Sequence, residues 1–332
     1  MNPAPFQRVL LWPFSAAYGL FARFRAALYA KGWIKRRKLR GAVISVGNLT
    51  VGGTGKTPMI LWLAEKLLKK GKRVAILSRG YKGSGGTSDE VALLRSRLDG
   101  RVVFGIGRDR FAEGKRLEEQ GVDVFLLDDG FQHLSLARDV DIVLVDATRP
   151  LGMEAVLPAG RLREPLSALN RADIVVMTRQ NSSGRPAARG SRSCPVFNAG
   201  TRLLGFRPFP SQTDPQNLTE IGAGPFFAFC GIGNPEAFFS DLQRWRLRVA
   251  GNRQFRDHHR YSQRDVRSLE EAAGKAGASA FVTTEKDVWN LGDLRFSTIP
   301  VYVCVIEMAP DLESEFLGAI DRKLAAGSKG SA

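Results

Sequence analysis

The sequence has 332 residues, of which 44% are hydrophobic and 25% charged, and its formal net charge is +16. This composition is typical of a globular protein, and it excludes a disordered chain, a collagen-like repeat and a membrane protein with several spans. The three cysteines lie far apart in the sequence, which argues against a disulfide scaffold or a CxxC zinc site and favours a reducing compartment.

The amino-terminal segment carries most of the positive charge. Residues 1–64 contain ten basic side chains and no acidic one. Residues 9–22 are uncharged and rich in aromatic side chains, but this run is too short for a bilayer span of about 20 residues. Because a basic cluster at 35–40 follows it, we predict a helix in the headgroup region of an anionic membrane. A helix packed on its own domain and a signal peptide are the alternatives.

Short apolar runs and helical patterns alternate along the rest of the chain. Helices are predicted over 58–70, 108–120, 235–245 and 263–276. Strands are predicted over 42–46, 73–77, 102–104, 124–127, 142–145, 174–177, 226–230, 247–250, 280–283 and 301–306. Strands that are nearly continuous in Val, Ile and Leu and are separated by helices predict a parallel sheet covered on both faces.

The first predicted strand leads into GNLTVGGTGKTP, residues 47–58, and then into a helix. A phosphate loop requires this context, because backbone N–H groups and the helix N-terminus hold the phosphates. We expect Lys56 to reach the β- and γ-phosphates of ATP and Thr57 to ligate Mg²⁺. The predicted nucleotide-binding residues are Thr50, Val51, Gly52, Gly53, Thr54, Gly55, Lys56 and Thr57. A tight turn between strand and helix is the alternative.

Two carboxylates, Asp128 and Asp129, follow the predicted strand at 124–127. The end of a strand in a parallel sheet is where a carboxylate faces the Mg²⁺ of a bound nucleotide, so both are predicted metal ligands. Adjacent side chains point to opposite sides, which leaves open which of the two contacts the metal. A strand-end turn that favours Asp-Gly is the alternative.

The fold class expected from these patterns is α/β, with a P-loop NTPase-type parallel-sheet domain, a second smaller α/β domain and an N-terminal membrane-associating helix. The predicted boundaries are a helix and basic segment at 1–40, a nucleotide-binding domain at 41–205, a linker at 206–225 and a second domain at 226–325. Within the first domain, residues 179–193 are predicted to form a polar loop.

Seven segments occur in an order that resembles the tetraacyldisaccharide 4′-kinase family, the lipid A 4′-kinases, over about residues 5–320. They are GNLTVGGTGKTP, SRGY (78–81), DDGFQHLSLARDVDIVLVDA (128–147), LPAGRLREP (157–165), FCGIGNPEAFF (229–239), FRDHHRYS (255–262) and TTEKD (283–287). The resemblance implies transfer of the ATP γ-phosphate to the 4′-hydroxyl of a tetraacylated glucosamine disaccharide 1-phosphate. It also implies a location at the cytoplasmic face of the bacterial inner membrane, with no nucleic acid and no obligate protein partner.

The resemblance further implies a catalytic Asp paired with a His. Asp89 matches the Asp of a GDEP motif that reads SDEV here, and His258 matches the His of FRDHHRYS. Because Asp89 falls in the predicted first domain and His258 in the second, we expect them to meet only across an interdomain cleft. A helix N-cap at Ser88 or Asp89 and a surface His pair are the alternatives.

Further site residues follow from the resemblance and from their positions at strand ends. Glu164 resembles a family residue near Mg²⁺, and the neighbouring Arg163 is a predicted phosphate contact, with a solvated ion pair as the alternative. Asn48 and Arg79 follow strand ends at the same predicted sheet edge and are predicted phosphate or acceptor contacts. For the TTEKD segment a structural turn is as plausible as a functional role.

Two other functions stay open at this stage. The GGTGKT core resembles the deviant loop of membrane-positioning ATPases, which act as switches on protein partners, although Val51 stands where their signature Lys belongs. A nucleic-acid-binding ATPase rests on positive charge alone, and here that charge lies beside an apolar run rather than among stacking aromatic residues of a groove.

Overall fold

The computed structural model describes residues 5–80, 88–98, 100–149, 151, 154–179, 194–211 and 213–329. Tyr81 of the SRGY segment and residues 180–193 of the predicted polar loop lie outside the described residues. The helices are α1 Pro5–Ala30, α2 Lys56–Lys69, α3 Asp89–Leu98, α4 Arg110–Glu118, α5 Leu218–Ile221, α6 Pro235–Arg244, α7 Gln263–Lys275, α8 Glu285–Leu291 and α9 Glu313–Lys329. The strands are β1 Ala42–Asn48, β2 Val74–Ser78, β3 Val103–Ile106, β4 Val124–Asp128, β5 Val140–Asp146, β6 Ile174–Thr178, β7 Val196–Pro208, β8 Phe226–Cys230, β9 Val249–Gln254, β10 Ala280–Thr284 and β11 Val301–Pro310.

The chain forms two compact units, each assembled from separate segments. Within the described residues, the first unit contains 5–80, 98–200 and 308–329, and the second contains 88–97 and 201–307. The predicted boundaries gave each domain one continuous stretch, so they differ from these units at α3 and α9. The predicted linker contains the end of β7 and the short helix α5, which Asn217 caps.

The first unit contains a parallel sheet in the strand order β3-β2-β4-β1-β5-β6-β7. Its central strands are buried along their whole length, which explains why they read as continuous apolar runs. Val46 of β1 lies opposite Asp128 of β4. The loops that follow β1, β2 and β4 therefore leave one edge of the sheet side by side, and they position the phosphate loop next to the Asp pair.

The second unit contains strands in the order β7-β11-β10-β8-β9, with parallel pairing of β11, β10, β8 and β9. Phe229 and Phe281 are fully buried in its core and pack edge to face, with ring centroids 5.7 Å apart. Helix α8 begins directly after β10, where the Thr284 side chain caps its first turn. The TTEKD segment is this strand-to-helix junction.

Helix α1 contacts the first unit with one face. Ser15 is buried, and its hydroxyl accepts a hydrogen bond of 2.8 Å from the backbone N–H of Ala159. The other face carries exposed apolar side chains, namely Phe6, Val9, Leu10, Trp12, Phe14, Leu20, Phe21 and Phe24. Among the helices that the structure describes, none is long and apolar enough to cross a membrane.

Candidate active site

The loop between β1 and α2 has the backbone of a phosphate-binding loop. Gly55 precedes α2 with a left-handed φ of 91°, and no side chain caps the helix, so its first N–H groups point into the loop. The Asn48 side chain donates a hydrogen bond of 2.9 Å to the Thr54 hydroxyl. This hydrogen bond places the Asn48 amide on the loop, where Asn48 and Thr57 are both buried.

The segment LPAGRLREP, residues 157–165, packs against the phosphate loop through backbone hydrogen bonds. The Val51 N–H donates to the Arg161 carbonyl at 2.9 Å, and the Arg163 N–H donates to the Leu49 carbonyl at 2.7 Å. These contacts bring LPAGRLREP against residues 49–51, although more than a hundred residues separate them in the chain. The side chain of Arg163 thereby reaches the same sheet edge as the phosphate loop.

The two Asp residues after β4 have different surroundings. Asp128 is buried and accepts a hydrogen bond of 3.0 Å from the Ser78 hydroxyl at the end of β2. Asp129 adopts a left-handed φ of 51°, which is a strained conformation often found at functional sites. Its carboxylate lies 2.6 Å from the Arg163 guanidinium and 3.5 Å from the Lys56 ammonium. Sequence reasoning found these residues singly but not this cluster.

The four predicted metal ligands, Thr57, Asp128, Asp129 and Glu164, do not form a single preformed metal site. Glu164 is buried, and both of its oxygens accept hydrogen bonds from Arg171, at 2.8 and 3.2 Å. Among the residues with described side chains, no group of three or more His, Cys, Asp or Glu residues could hold a metal ion. Thr57 and Asp128 nevertheless offer oxygen ligands, and Mg²⁺ is commonly held by one or two carboxylates together with substrate phosphates.

A buried arginine that sequence reasoning did not single out lies near the Asp pair. Arg110, the first residue of α4, is 8% exposed, and its Nε has no hydrogen-bond partner within the described chain. Burial lowers its pKa, as does the charge of the exposed Arg79, whereas the charges of Asp128 and Asp129 raise it. The available sequence signal was that Arg110 is a basic residue shortly after the end of β3.

The second unit contains the Asp89–His258 pair. The Asp89 carboxylate and the Nδ1 of His258 lie 2.8 Å apart, and side-chain exposure is 8% for Asp89 and 52% for His258. Ser88 caps α3 by accepting the Val91 N–H, while Asp89 accepts the Glu90 N–H with Oδ1 and contacts His258 with Oδ2. The expectation that the two residues meet only across a cleft differs from the structure, because α3 packs within the second unit.

The charges around this pair favour its ionised form. Burial raises the pKa of Asp89, but the hydrogen bond with His258, the charges of Lys286 and His258 and the hydrogen bond from the Glu90 N–H together lower it below its usual value. The hydrogen bond with Asp89 raises the pKa of His258, and the charges of Asp89 and Asp257 add to it. The contact therefore favours a carboxylate on Asp89 and a protonated imidazole on His258 over their neutral forms.

The adjacent His259 has a packing role instead. Its ring stacks on Phe255 with centroids 4.7 Å apart and meets Tyr261 edge to face. His258 has a left-handed φ of 56°, which is uncommon for a residue other than glycine, and its ring contacts Asp89.

Comparisons with known proteins agree with the expected family and fold. The family model described as "LpxK: Tetraacyldisaccharide-1-P 4'-kinase" matches residues 7–325. A tetraacyldisaccharide 4′-kinase of Geobacter sulfurreducens is 43% identical over 329 residues, covering 93% of this chain and 92% of the relative. One from an Anaeromyxobacter species is 35% identical over 353 residues, covering 98% of this chain and 94% of the relative. The crystal structure of an "apo" form of LpxK from Aquifex aeolicus in complex with ATP aligns with a TM-score of 0.75 and 32% identity, covering 96% and 99% of the two chains.

Proposed function

Because the chain belongs to the tetraacyldisaccharide-1-P 4′-kinase family, we infer that it transfers the γ-phosphate of ATP to the 4′-hydroxyl of a tetraacylated glucosamine disaccharide 1-phosphate. The protein is an ATP-dependent kinase of lipid A biosynthesis, and the switch ATPase is not favoured. The observation that carries the assignment of roles is the Asp89–His258 hydrogen bond. Transfer to a sugar hydroxyl needs a group that accepts its proton, and this carboxylate is a suitable one.

Each part of the site has a task in this reaction. The backbone of residues 50–57 and the ammonium of Lys56 bind the β- and γ-phosphates. Asp129 holds Lys56 and Arg163 close together, so that two positive charges converge where phosphoryl charge develops. Asp89 takes the proton of the 4′-hydroxyl, and His258 orients the carboxylate through their hydrogen bond.

Mg²⁺ is the metal we propose for this site. Its oxygen ligands would be Thr57 and the carboxylates of Asp128 and Asp129, with Glu164 reaching it only after releasing Arg171. When bound, the ion supplies charge neutralisation on the phosphate oxygens. Ser78 and Arg163 fix the two Asp side chains through hydrogen bonds, which prepares their orientation.

Acceptor recognition is proposed for the basic residues at the same sheet edge. Arg79 follows β2, Arg163 lies in the segment that packs on the phosphate loop, and the buried Arg110 adds a third positive charge. A phosphorylated disaccharide offers anionic oxygens for such guanidinium groups. Asn48 would act through the loop, because its side chain donates to Thr54.

We also propose that α1 lies on an anionic membrane, at the cytoplasmic face of the inner membrane where the family acts. The exposed apolar side chains of α1, of which Trp12 and Phe14 are each 65% exposed, support this proposal. The basic cluster at 35–40 would contact anionic headgroups, and an acylated acceptor would be met in the same layer.

A direct assay tests the reaction. The purified protein is incubated with Mg²⁺, γ-³²P-labelled ATP and the tetraacyl disaccharide 1-phosphate in detergent micelles, and label is followed into the lipid. We expect labelling by the wild type and by the control Lys69→Ala, whose exposed lysine lies on the same helix, but none by Lys56→Ala. ATP hydrolysis without lipid labelling would overturn the proposal and favour the switch ATPase.

A further inference from the structure

The first turn of α8 carries three consecutive charged residues, Glu285, Lys286 and Asp287, that contact the elements bearing Asp89 and His258. We propose that these three residues are positioning residues, which hold the Asp89–His258 pair in its reactive arrangement. This proposal depends on the proposed function in one respect, namely that the Asp89–His258 pair is catalytic. It assigns a task to the TTEKD segment, for which the sequence favoured neither a turn nor a functional role.

Glu285 and Lys286 form ion pairs with residues near the two ends of α3. The guanidinium of Arg97, near the end of α3, donates to both oxygens of Glu285 at 2.9 and 3.1 Å. The ammonium of Lys286 lies 2.6 Å from the carboxylate of Glu90, near the start of α3. Since Asp89 is the first residue of α3, these contacts fix both the axis and the amino terminus of the helix that carries it.

The third residue fastens the loop that carries His258. Asp287 is fully buried, and one of its oxygens accepts the Gly231 N–H at 2.8 Å and the Tyr261 hydroxyl at 2.7 Å. The carbonyl of Gly231 in turn accepts the His258 N–H at 3.0 Å. Asp287 therefore binds Gly231, whose carbonyl holds the His258 N–H, and Tyr261, which follows His258 in the same loop, and it acts on His258 through them.

Packing alone does not account for this concentration of buried charge. Side-chain exposure is 7% for Glu285 and 13% for its partner Arg97, and the desolvation of such ions offsets much of their attraction. Apolar residues of similar volume commonly serve a core as well or better. Charged side chains with directed hydrogen bonds, however, fix orientation, which a carboxylate–imidazole pair between distant segments requires.

The test uses the full-length protein with Lys286→Met and Asp287→Asn, and Lys275→Met as the matched control at an exposed site in the same unit. We expect kcat for lipid phosphorylation to fall about 10²-fold in the first two variants, since misplacement of a catalytic group by about 1 Å costs that much. KM for ATP should not change, because the phosphate loop belongs to the first unit. Lys286→Arg should recover most of kcat.

A spectroscopic readout separates positioning from turnover. The chain has three histidines, so ¹⁵N-resolved titration can follow His258 individually. The hydrogen bond with Asp89 is the largest cause that raises the pKa of His258, so loss of positioning in Lys286→Met should lower that pKa, whereas loss of the Lys286 charge alone would raise it. Lys275→Met should leave the pKa unchanged.

Three results would decide the matter. Unchanged kcat and an unchanged His258 titration in folded Lys286→Met would overturn the proposal, as would an equal kcat loss in Lys275→Met. If Asp287→Asn fails to fold, the Lys286→Met and Lys286→Arg pair still decides. If the titration shifts as expected but Asp89→Asn keeps full kcat, the positioning contacts stand and the assigned catalytic role fails.

Discussion

At the scale of single residues, the Asp89–His258 contact supports the proposal that this pair performs the proton transfer. The two groups lie 2.8 Å apart, although 169 positions separate them in the chain. We expect Asp89→Asn and His258→Ala each to lower kcat by about 10²–10⁴, the usual contribution of a general acid–base group. The double variant should lose little more than either single one, because the two residues act as a unit.

The measurement is steady-state transfer of ³²P to the lipid, with His259→Gln as the control. His259 packs on Phe255, so its variant should keep most of kcat. Losses that multiply fully in the double variant would contradict a cooperating pair.

The same contact makes stability depend on pH. The folded pKa of His258 is raised, so its contribution to stability is complete below its unfolded pKa of about 6.5 and is lost as pH rises through the folded pKa. The folded pKa of Asp89 is lowered, so its contribution is complete above about 3.9 and is lost as pH falls through the folded pKa. Urea unfolding should therefore show a larger loss of stability in Asp89→Asn at pH 6 than at pH 9. An equal loss of stability at both pH values would mean that this contact does not raise the pKa of His258.

Around the phosphate loop, sequence reasoning indicated candidate site residues but not the side chains that they contact. Lys56, Thr57 and Asp128 follow from the local strand–loop–helix pattern, which short-range geometry determines. The convergence of Lys56 and Arg163 on Asp129 depends on contacts between segments that are distant in the chain. No local spacing encodes such contacts.

At the scale of elements, the end of β1 is tightly packed against the turn after β4. A Cβ on Gly47 would lie 2.6 Å from the Cβ of Phe131 and 2.8 Å from its backbone nitrogen. Gly47→Ala must therefore separate the phosphate loop from the Asp128–Asp129 turn. We expect a loss of about 1–3 kcal/mol in the free energy of unfolding, typical of overpacking, and a raised KM for ATP.

The control is Gly200→Ala, because a Cβ there would meet nothing within 4 Å. Urea unfolding and ATP-dependent kinetics measure the two effects. A Gly47→Ala protein with the stability and KM of the control would show that this close approach has no role in the site.

Strands and helices with a pronounced hydrophobic pattern were predictable from the sequence. The elements that the sequence did not predict have physical reasons for lacking such a pattern. The buried strands β4 and β5 read as apolar runs, and the structure confirms them. Strand β7 was missed because it alternates between buried and partly exposed residues and contains two glycines. Helix α9 joins the first unit through Phe316, which packs on Trp62 of α2, and this long-range contact gives no local signal.

At the scale of the whole molecule, the uneven distribution of charge predicts how the protein binds vesicles. Binding to phosphatidylglycerol vesicles should weaken from 0.1 to 1 M salt, because the Debye length falls from about 10 to about 3 Å. Replacing exposed apolar residues of α1, in Phe14→Ser with Phe21→Ser, should weaken binding further at either salt concentration. Co-sedimentation measures both effects.

Leu312→Ser is the control, since Leu312 is also an exposed apolar residue of the first unit. If salt changes binding but the α1 variants do not, the basic residues alone would bind the membrane and α1 would have another role.

The fastening of α3 by α8 also has a consequence for synthesis on the ribosome. Lys286 is translated 196 residues after Glu90. At about 5–20 residues per second, α3 leaves the ribosome roughly 10–40 s before the residues that fix it. A nascent chain can therefore complete its phosphate loop early, but it cannot form the Asp89–His258 pair until nearly all of its length has been made. Translation order thus delays formation of the proposed catalytic pair until α8 has been made.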